Sequence, residues 1–102
     1  MSGMRLRRVE IVVKEVQGVC PLYSPGDRIV LEGYYVKASE SKDVCIHALS
    51  AMLTLLTLIS HGFSTLELGL GPEEGVAYLQ CPDPGPPRTC GGTVLFELRC
   101  SG

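Results

Sequence analysis

Residues 44–66 contain no Lys, Arg, Asp or Glu, and this absence constrains the fold more than any other feature of the chain. A run of that length is long enough to cross a bilayer. It also carries His47, Ser50, Thr54, Thr57, Ser60, His61 and Ser64, and Gly62 interrupts it. The unbroken part, about 18 residues, is a marginal span. The reading is therefore a buried core helix over about 44–61, with no membrane association. His47, Ser50, Thr54, Thr57 and His61 fall at helical spacing as a narrow uncharged stripe. A helix with a wet face normally carries charges on it, so the pattern predicts a long apolar helix covered nearly all round. Ser41 or Asp43 supplies the N-cap; His61 in the last turn and Gly62 just past it mark the end.

On either side of this helix the period changes to two. Over residues 7–17, Val9, Ile11 and Val13 alternate with Glu10, Val12 and Lys14, which predicts a strand with one buried face. The stretch 18–27, with two prolines and two glycines, is a loop, and Pro25-Gly26 signals a turn. Residues 28–35 resume as a second strand around Ile29, Val30 and Leu31, and 37–43 form a polar connection. After the helix, 63–72 is irregular and 76–81 is a third strand. A proline-dense connection leads to a fourth over 93–100, where Val94, Phe96, Leu98 and Cys100 alternate with Leu95, Glu97 and Arg99. The order β-β-α-β-β gives an α+β class: a mostly antiparallel four-stranded sheet with one long apolar helix packed on it. A chain of 102 residues suits one such domain, spanning 1–102 with 1–6 and 101–102 frayed.

One helix cannot cover both faces of four strands, and helix and sheet both look apolar. Exposed patches of that kind mark interfaces, so a homo-oligomer is expected, most simply a two-fold dimer. The net charge of −2 gives no field that attracts nucleic acid. The six aromatic residues, four Tyr and two Phe, have no basic stripe between them, so no base-stacking surface is expected either. The basic residues Arg5, Arg7 and Arg8 lead straight into the alternating segment without an apolar stretch, so a cytoplasmic location with reduced thiols is expected.

The candidate site is a group of thiols. Cys20 precedes Pro21 in the first loop, Cys45 opens the helix, and Cys81 precedes Pro82 at the end of the third strand. Near a helix start the unpaired N–H groups and the dipole favour thiolate, which raises reactivity and metal affinity. Were the three thiols to converge, they would offer soft ligands for zinc or an iron–sulfur cluster, with His47 or Asp83 completing the shell. Against this, cysteine packs well as a small hydrophobe, and the chain has no C-x-x-C pair, the spacing that signals such centres. His47, two residues from Cys45, belongs to a different side of the helix. Cys100 is in phase with core-facing Val94, Phe96 and Leu98, and a Cys81–Cys90 bridge is conceivable. His47 and His61 read as hydrogen-bonded members of the polar stripe, and Asp27 as a turn residue. The segment Gly69-Leu-Gly-Pro-Glu-Glu74 resembles a dinucleotide fingerprint only superficially. With no nucleophile–base pair in view, catalysis is not expected.

Gly18-Val-Cys-Pro21, Gly26-Asp27, Val44-Cys-Ile-His-Ala48, Gln80-Cys-Pro-Asp-Pro-Gly85 and Gly91-Gly-Thr-Val-Leu-Phe-Glu97 together resemble a family of small archaeal and bacterial proteins of about this length. The resemblance implies one small domain and a prokaryotic, archaeal source, and it implies no established activity. It also implies shared cysteines at Cys20, Cys45 and Cys81, with Cys90 and Cys100 peculiar to this chain. The functional expectation is a thiol-based metal-binding, iron–sulfur or redox module centred on those three residues. The alternative is a non-catalytic oligomeric structural or interaction protein whose cysteines only pack.

Overall fold

The computed structural model describes residues 7–101. In chain order it contains β1 (Arg8–Gly18), β2 (Arg28–Glu32), β3 (Tyr35–Val36), a 3-10 turn (Ala38–Glu40), α1 (Ile46–Ser60), β4 (Val76–Gln80) and β5 (Gly92–Ser101). The strands form one antiparallel sheet in the order β3-β2-β1-β5-β4. The α+β class with one helix stands, but the sheet has five strands instead of four. The stretch expected as one strand over 28–35 folds back on itself. Glu32 pairs with Tyr35 across a two-residue turn in which Gly33 takes a φ of +67°, the position where a tight hairpin requires glycine. Ser101 pairs with Arg8, so β5 continues one residue past the expected strand end. Residues 1–6 and 102, expected to fray, lie outside the described residues.

Register decides what each sheet face carries. Val9, Ile11 and Val13 of β1 lie opposite Cys100, Leu98 and Phe96 of β5. Val9 and Ile11 also face Leu31 and Ile29 of β2, while Leu98 and Phe96 face Ala77 and Leu79 of β4. Because alternate side chains share a face, these residues make one continuous apolar surface. The helix lies on it through Ala48, Met52, Leu56 and Ile59, all buried, at spacings that keep one stripe of a helix together.

The helix itself departs from expectation in two ways. It starts at Ile46 with Cys45 as N-cap, so neither Ser41 nor Asp43 caps it. It is also not the apolar rod covered all round that the missing charges suggested, since Ile46, Leu53, His47, Ser50, Thr54 and Thr57 face solvent. Several of its polar groups turn back on the helix's own carbonyls. Ser50 donates to His47 O at 3.2 Å, Thr57 to Leu53 O at 2.8 Å and Ser60 to Thr57 O at 3.1 Å, the local bonding open to such side chains. No helix among the described residues is long and apolar enough to cross a membrane.

The opposite sheet face, expected to be apolar, is ionic. Arg8 pairs with Glu32 and Glu40, and Arg28 with Glu10 and Glu40. Residues 37–42 strap across β2, with Lys37 N–H on Val30 O and Val30 N–H on Ser41 Oγ. Further along, Glu97 is only 6% exposed. Tyr78 donates its hydroxyl to it at 2.7 Å, Arg99 donates Nε at 2.9 Å, and Lys14 Nζ lies 3.7 Å away. The Tyr78 hydrogen bond, then Arg99 and Lys14, hold the Glu97 carboxyl below the ordinary glutamate value of 4.5, against a desolvation that acts the other way.

Two outcomes follow for stability. Phe96, fully buried at the sheet centre, should cost about 3–5 kcal/mol on replacement by alanine, read from denaturant unfolding with an unchanged slope. Because the folded-state pKa of Glu97 is depressed, its contribution is present above the unfolded value and lost as pH falls through the folded one. The stability gap between wild type and Glu97→Gln should therefore be largest at neutral pH and shrink on acidification below pH 4.5; a gap that is constant with pH would contradict this.

Candidate functional site

At one end of the sheet β1 and β5 finish on the pair Gly18↔Gly92, and both chains leave in loops. Gly18 turns with a φ of +89°, and a Cβ there would lie 2.7 Å from Gly91 O. Only glycine lets the two strands and their loops approach this closely. The first loop then runs Cys20-Pro21-Leu22-Tyr23, and Tyr23 N–H donates to Cys20 Sγ at 3.3 Å.

Tyr23 ties this loop to the helix. Its ring is buried and meets Phe96 edge-on, with centroids 5.7 Å apart and planes at 85°, a favourable aromatic geometry. Its hydroxyl donates to Asp43 O and accepts from Cys45 N–H, both at 2.8 Å. Burial raises the phenol above its usual 10, so it stays a protonated donor at neutral pH. Cys45 is thereby fixed at the N-cap of α1, where its thiol makes no capping bond and the first turn has no acidic residue.

Cys81 comes from the opposite side. Immediately after β4 it donates its N–H to Val94 O at 3.0 Å, accepts Val94 N–H on Sγ at 3.1 Å, and directs the thiol toward Gly92 O at 3.6 Å. The proline-dense loop then folds over Asp83, whose Oδ1 accepts from the Thr89 hydroxyl and from Gly85 N–H. The Thr89 hydroxyl above all, then Gly85 N–H, with the field of His47 adding a little, hold the Asp83 carboxyl below 3.8. Asp83 Oδ2 rests over Gly91, where a Cβ would collide with it.

These elements enclose one cleft of about 510 Å³. Cys20, Cys45 and Cys81 all line it, and so do His47 and Asp83. Sequence reasoning put His47 on a different side from Cys45, using helical angles. Those angles do not apply, because Cys45 lies outside the helix as its extended N-cap, with φ −74° and ψ 124°. The remaining wall is apolar, with Pro21, Leu22, Ala48 and Val94 among its residues. The donors surround a space instead of converging on a point: among the described residues no three His, Cys, Asp or Glu side chains are grouped as a metal ion requires. Nor does a hydrogen bond or ion pair join His47 to Asp83.

The other candidates have structural explanations. All five cysteines are free thiols, so no Cys81–Cys90 bridge exists, and Cys90 is exposed. Cys100 packs half-buried against the core, and burial pushes its thiol above 9. Asp27 fixes its turn by accepting Ser24 N–H at 2.9 Å. His61 Nδ1 lies 2.8 Å from Thr57 O. Glu74, in the glycine-bearing segment, holds a loop together by accepting from the Ser64 hydroxyl and from Thr65 N–H. What the sequence reading missed was Tyr23 and the Gly91–Gly92 wall. The one signal for Tyr23 was an aromatic residue inside a proline loop, three residues after Cys20.

In comparison with known proteins, no family model, no curated protein and no solved structure matches the chain.

Proposed function

We propose that the protein is a thiol-based binding module that captures a small thiophilic ligand in this cleft. The observation that carries the reading is the meeting of three thiols, from segments far apart in sequence, around one cavity at a helix start. Placement of all three around one cavity is not what packing alone demands of small hydrophobic residues.

The three sulfurs have different roles in this reading. Cys20 Sγ and Cys81 Sγ each accept a main-chain N–H, which fixes where each sulfur points. Cys20 is held within its own loop by Tyr23, and Cys81 by the facing strand β5 through Val94 and Gly92. Cys45 is the reacting thiol: no capping bond engages it, and it lines the cleft at the start of α1. The apolar wall favours a ligand whose remaining surface is largely hydrocarbon, while His47 and Asp83 supply a polar edge. A resident tetrahedral zinc or an iron–sulfur cluster is disfavoured as the primary reading by the spacing of the donors, so the thiols are assigned to capture in preference to a permanent centre.

The test is anaerobic alkylation with limiting iodoacetamide, with each cysteine peptide followed by mass spectrometry. Exposed Cys90 should label first, and Cys45 should label at least about tenfold faster than half-buried Cys100. Ala48→Phe, which fills the cleft wall, should slow Cys45 and leave Cys90 unchanged. Labelling of Cys45 no faster than of Cys100 would remove the basis of the proposal.

A further inference from the structure

The cleft carries a charge that binding at a thiol does not use. Asp83 is the only Asp, Glu, Lys or Arg among its lining residues. The Thr93 hydroxyl anchors the main chain there by donating to Asp83 O at 2.6 Å. On the side chain, Oδ1 takes both hydrogen bonds, from Gly85 N–H and from the Thr89 hydroxyl. Oδ2 accepts none from the described residues. Gly91, also in the lining, leaves room for that oxygen, since a Cβ there would collide with it.

The surroundings do not neutralise this carboxylate. The Thr89 hydroxyl, then Gly85 N–H, hold it below 3.8, so it is ionised at neutral pH. Burial above all, with Asp43 among the lesser causes, pushes the Tyr23 phenol up, so the field of a second carboxylate reaches a lining residue. No Lys or Arg lines the cleft. Arg88, in the same loop, is exposed and is not part of the lining.

Resting on the capture reading above, we infer that the cleft selects thiophilic ligands carrying an ammonium group on a short hydrocarbon stem, with Asp83 as the residue that determines this specificity. An ammonium offers only donors, and one of them can satisfy Oδ2 through a charge-assisted bond. A sulfonate or carboxylate in the same place would face its like, which costs affinity. The stem suits Pro21, Leu22, Ala48 and Val94. Reach is short as well. His47 lines the cleft two residues past Cys45, and after Thr89 and Gly85 it is one of the groups that hold the Asp83 carboxyl low. Thiol and carboxylate therefore lie within the span of one small molecule, in a cleft of about 510 Å³ that falls in the size range of small-molecule sites.

Three methanethiosulfonates that differ only at the end of a two-carbon stem test the assignment: 2-aminoethyl, 2-hydroxyethyl and 2-sulfonatoethyl. In each reaction the Cys45 sulfur bonds to the reagent's outer sulfur and the S–S bond breaks. Methanesulfinate leaves with the electron pair, and the thiol proton goes to water. The thiol is oxidised to a mixed disulfide as the sulfonyl sulfur is reduced to sulfinate. Rates at each cysteine peptide of the wild-type protein are read by mass spectrometry without reduction and divided by each reagent's rate with 2-mercaptoethanol. At Cys45 the aminoethyl reagent should lead the hydroxyethyl one by about threefold, the scale of one partly exposed ion pair, and the sulfonatoethyl reagent should trail both. Asp83→Asn, which keeps Oδ1 as an acceptor for Thr89 and Gly85, should abolish the lead. Sodium chloride at about 1 M, where charges are screened beyond about 3 Å, should shrink the wild-type lead and checks the same point should the variant fail to fold. Cys90, exposed and two residues from Arg88, should show no such lead; the same lead there would trace the effect to the net charge of −2 and overturn the inference. Equal normalised rates at Cys45, or a lead that survives both Asp83→Asn and salt, would overturn it while leaving the capture reading in place. Cys45 no faster than Cys100 with every reagent would remove the capture reading, and this inference with it.

Discussion

The pairing of β1 with β5 is the constraint on which the rest of the structure depends. It joins segments from opposite ends of the described chain, from Arg8↔Ser101 to Gly18↔Gly92, with one irregularity between Val13 and Glu15. Its register places Ile11 beside Leu98 and Val13 beside Phe96, which fixes the apolar face that α1 covers. A slip of one residue would send that whole set to the other side. The same register places Val12 beside Glu97 and Glu10 beside Arg99, so the ionic face is the other half of one decision. The last rung, between two glycines, determines where both loops leave the sheet.

Those departing loops are why the cleft exists. The first carries Cys20 and Tyr23; the second carries Asp83 and returns through Gly91 and Gly92. Tyr23 converts the neighbourhood of loops into a site, because one phenol is packed on Phe96, bonded to Asp43 O and bonded to Cys45 N–H. Core packing and thiol placement are thus coupled through a single ring. A change that loosens Phe96 should be felt at Cys45 even though the two residues belong to different elements.

Much of this was legible in the sequence, and the illegible parts have identifiable causes. The faces of β1 and β5 could be read because Val9, Ile11 and Val13, and Val94, Phe96 and Leu98, alternate cleanly. The three boundary cysteines could be singled out because each stands at a chain reversal. Tyr35–Val36 is too short for any period to register, so its hairpin merged with β2 until pairing separated them. The ionic face was hidden because Arg8, Glu32 and Glu40, or Tyr78, Glu97 and Arg99, meet only across strands or a strap whose register the sequence does not spell out. Charge-free residues 44–66 suggested enclosure on all sides. A helix whose hydroxyls bond to its own carbonyls can instead leave one side open without bearing a charge.

The connection between the sheet's two longest strands also has a kinetic side. β1 cannot find its longest partner until β5 is available, and closing so long a loop carries an entropic cost that local contacts do not offset. Antiparallel sheets dominated by such distant pairings fold slowly for their size. During that interval the inner stripe of α1, with Met52, Leu56 and Ile59, has no completed sheet to rest on. The interval between forming the helix and closing the ladder is therefore when this chain is most exposed to aggregation, and when a chaperone would find most to hold.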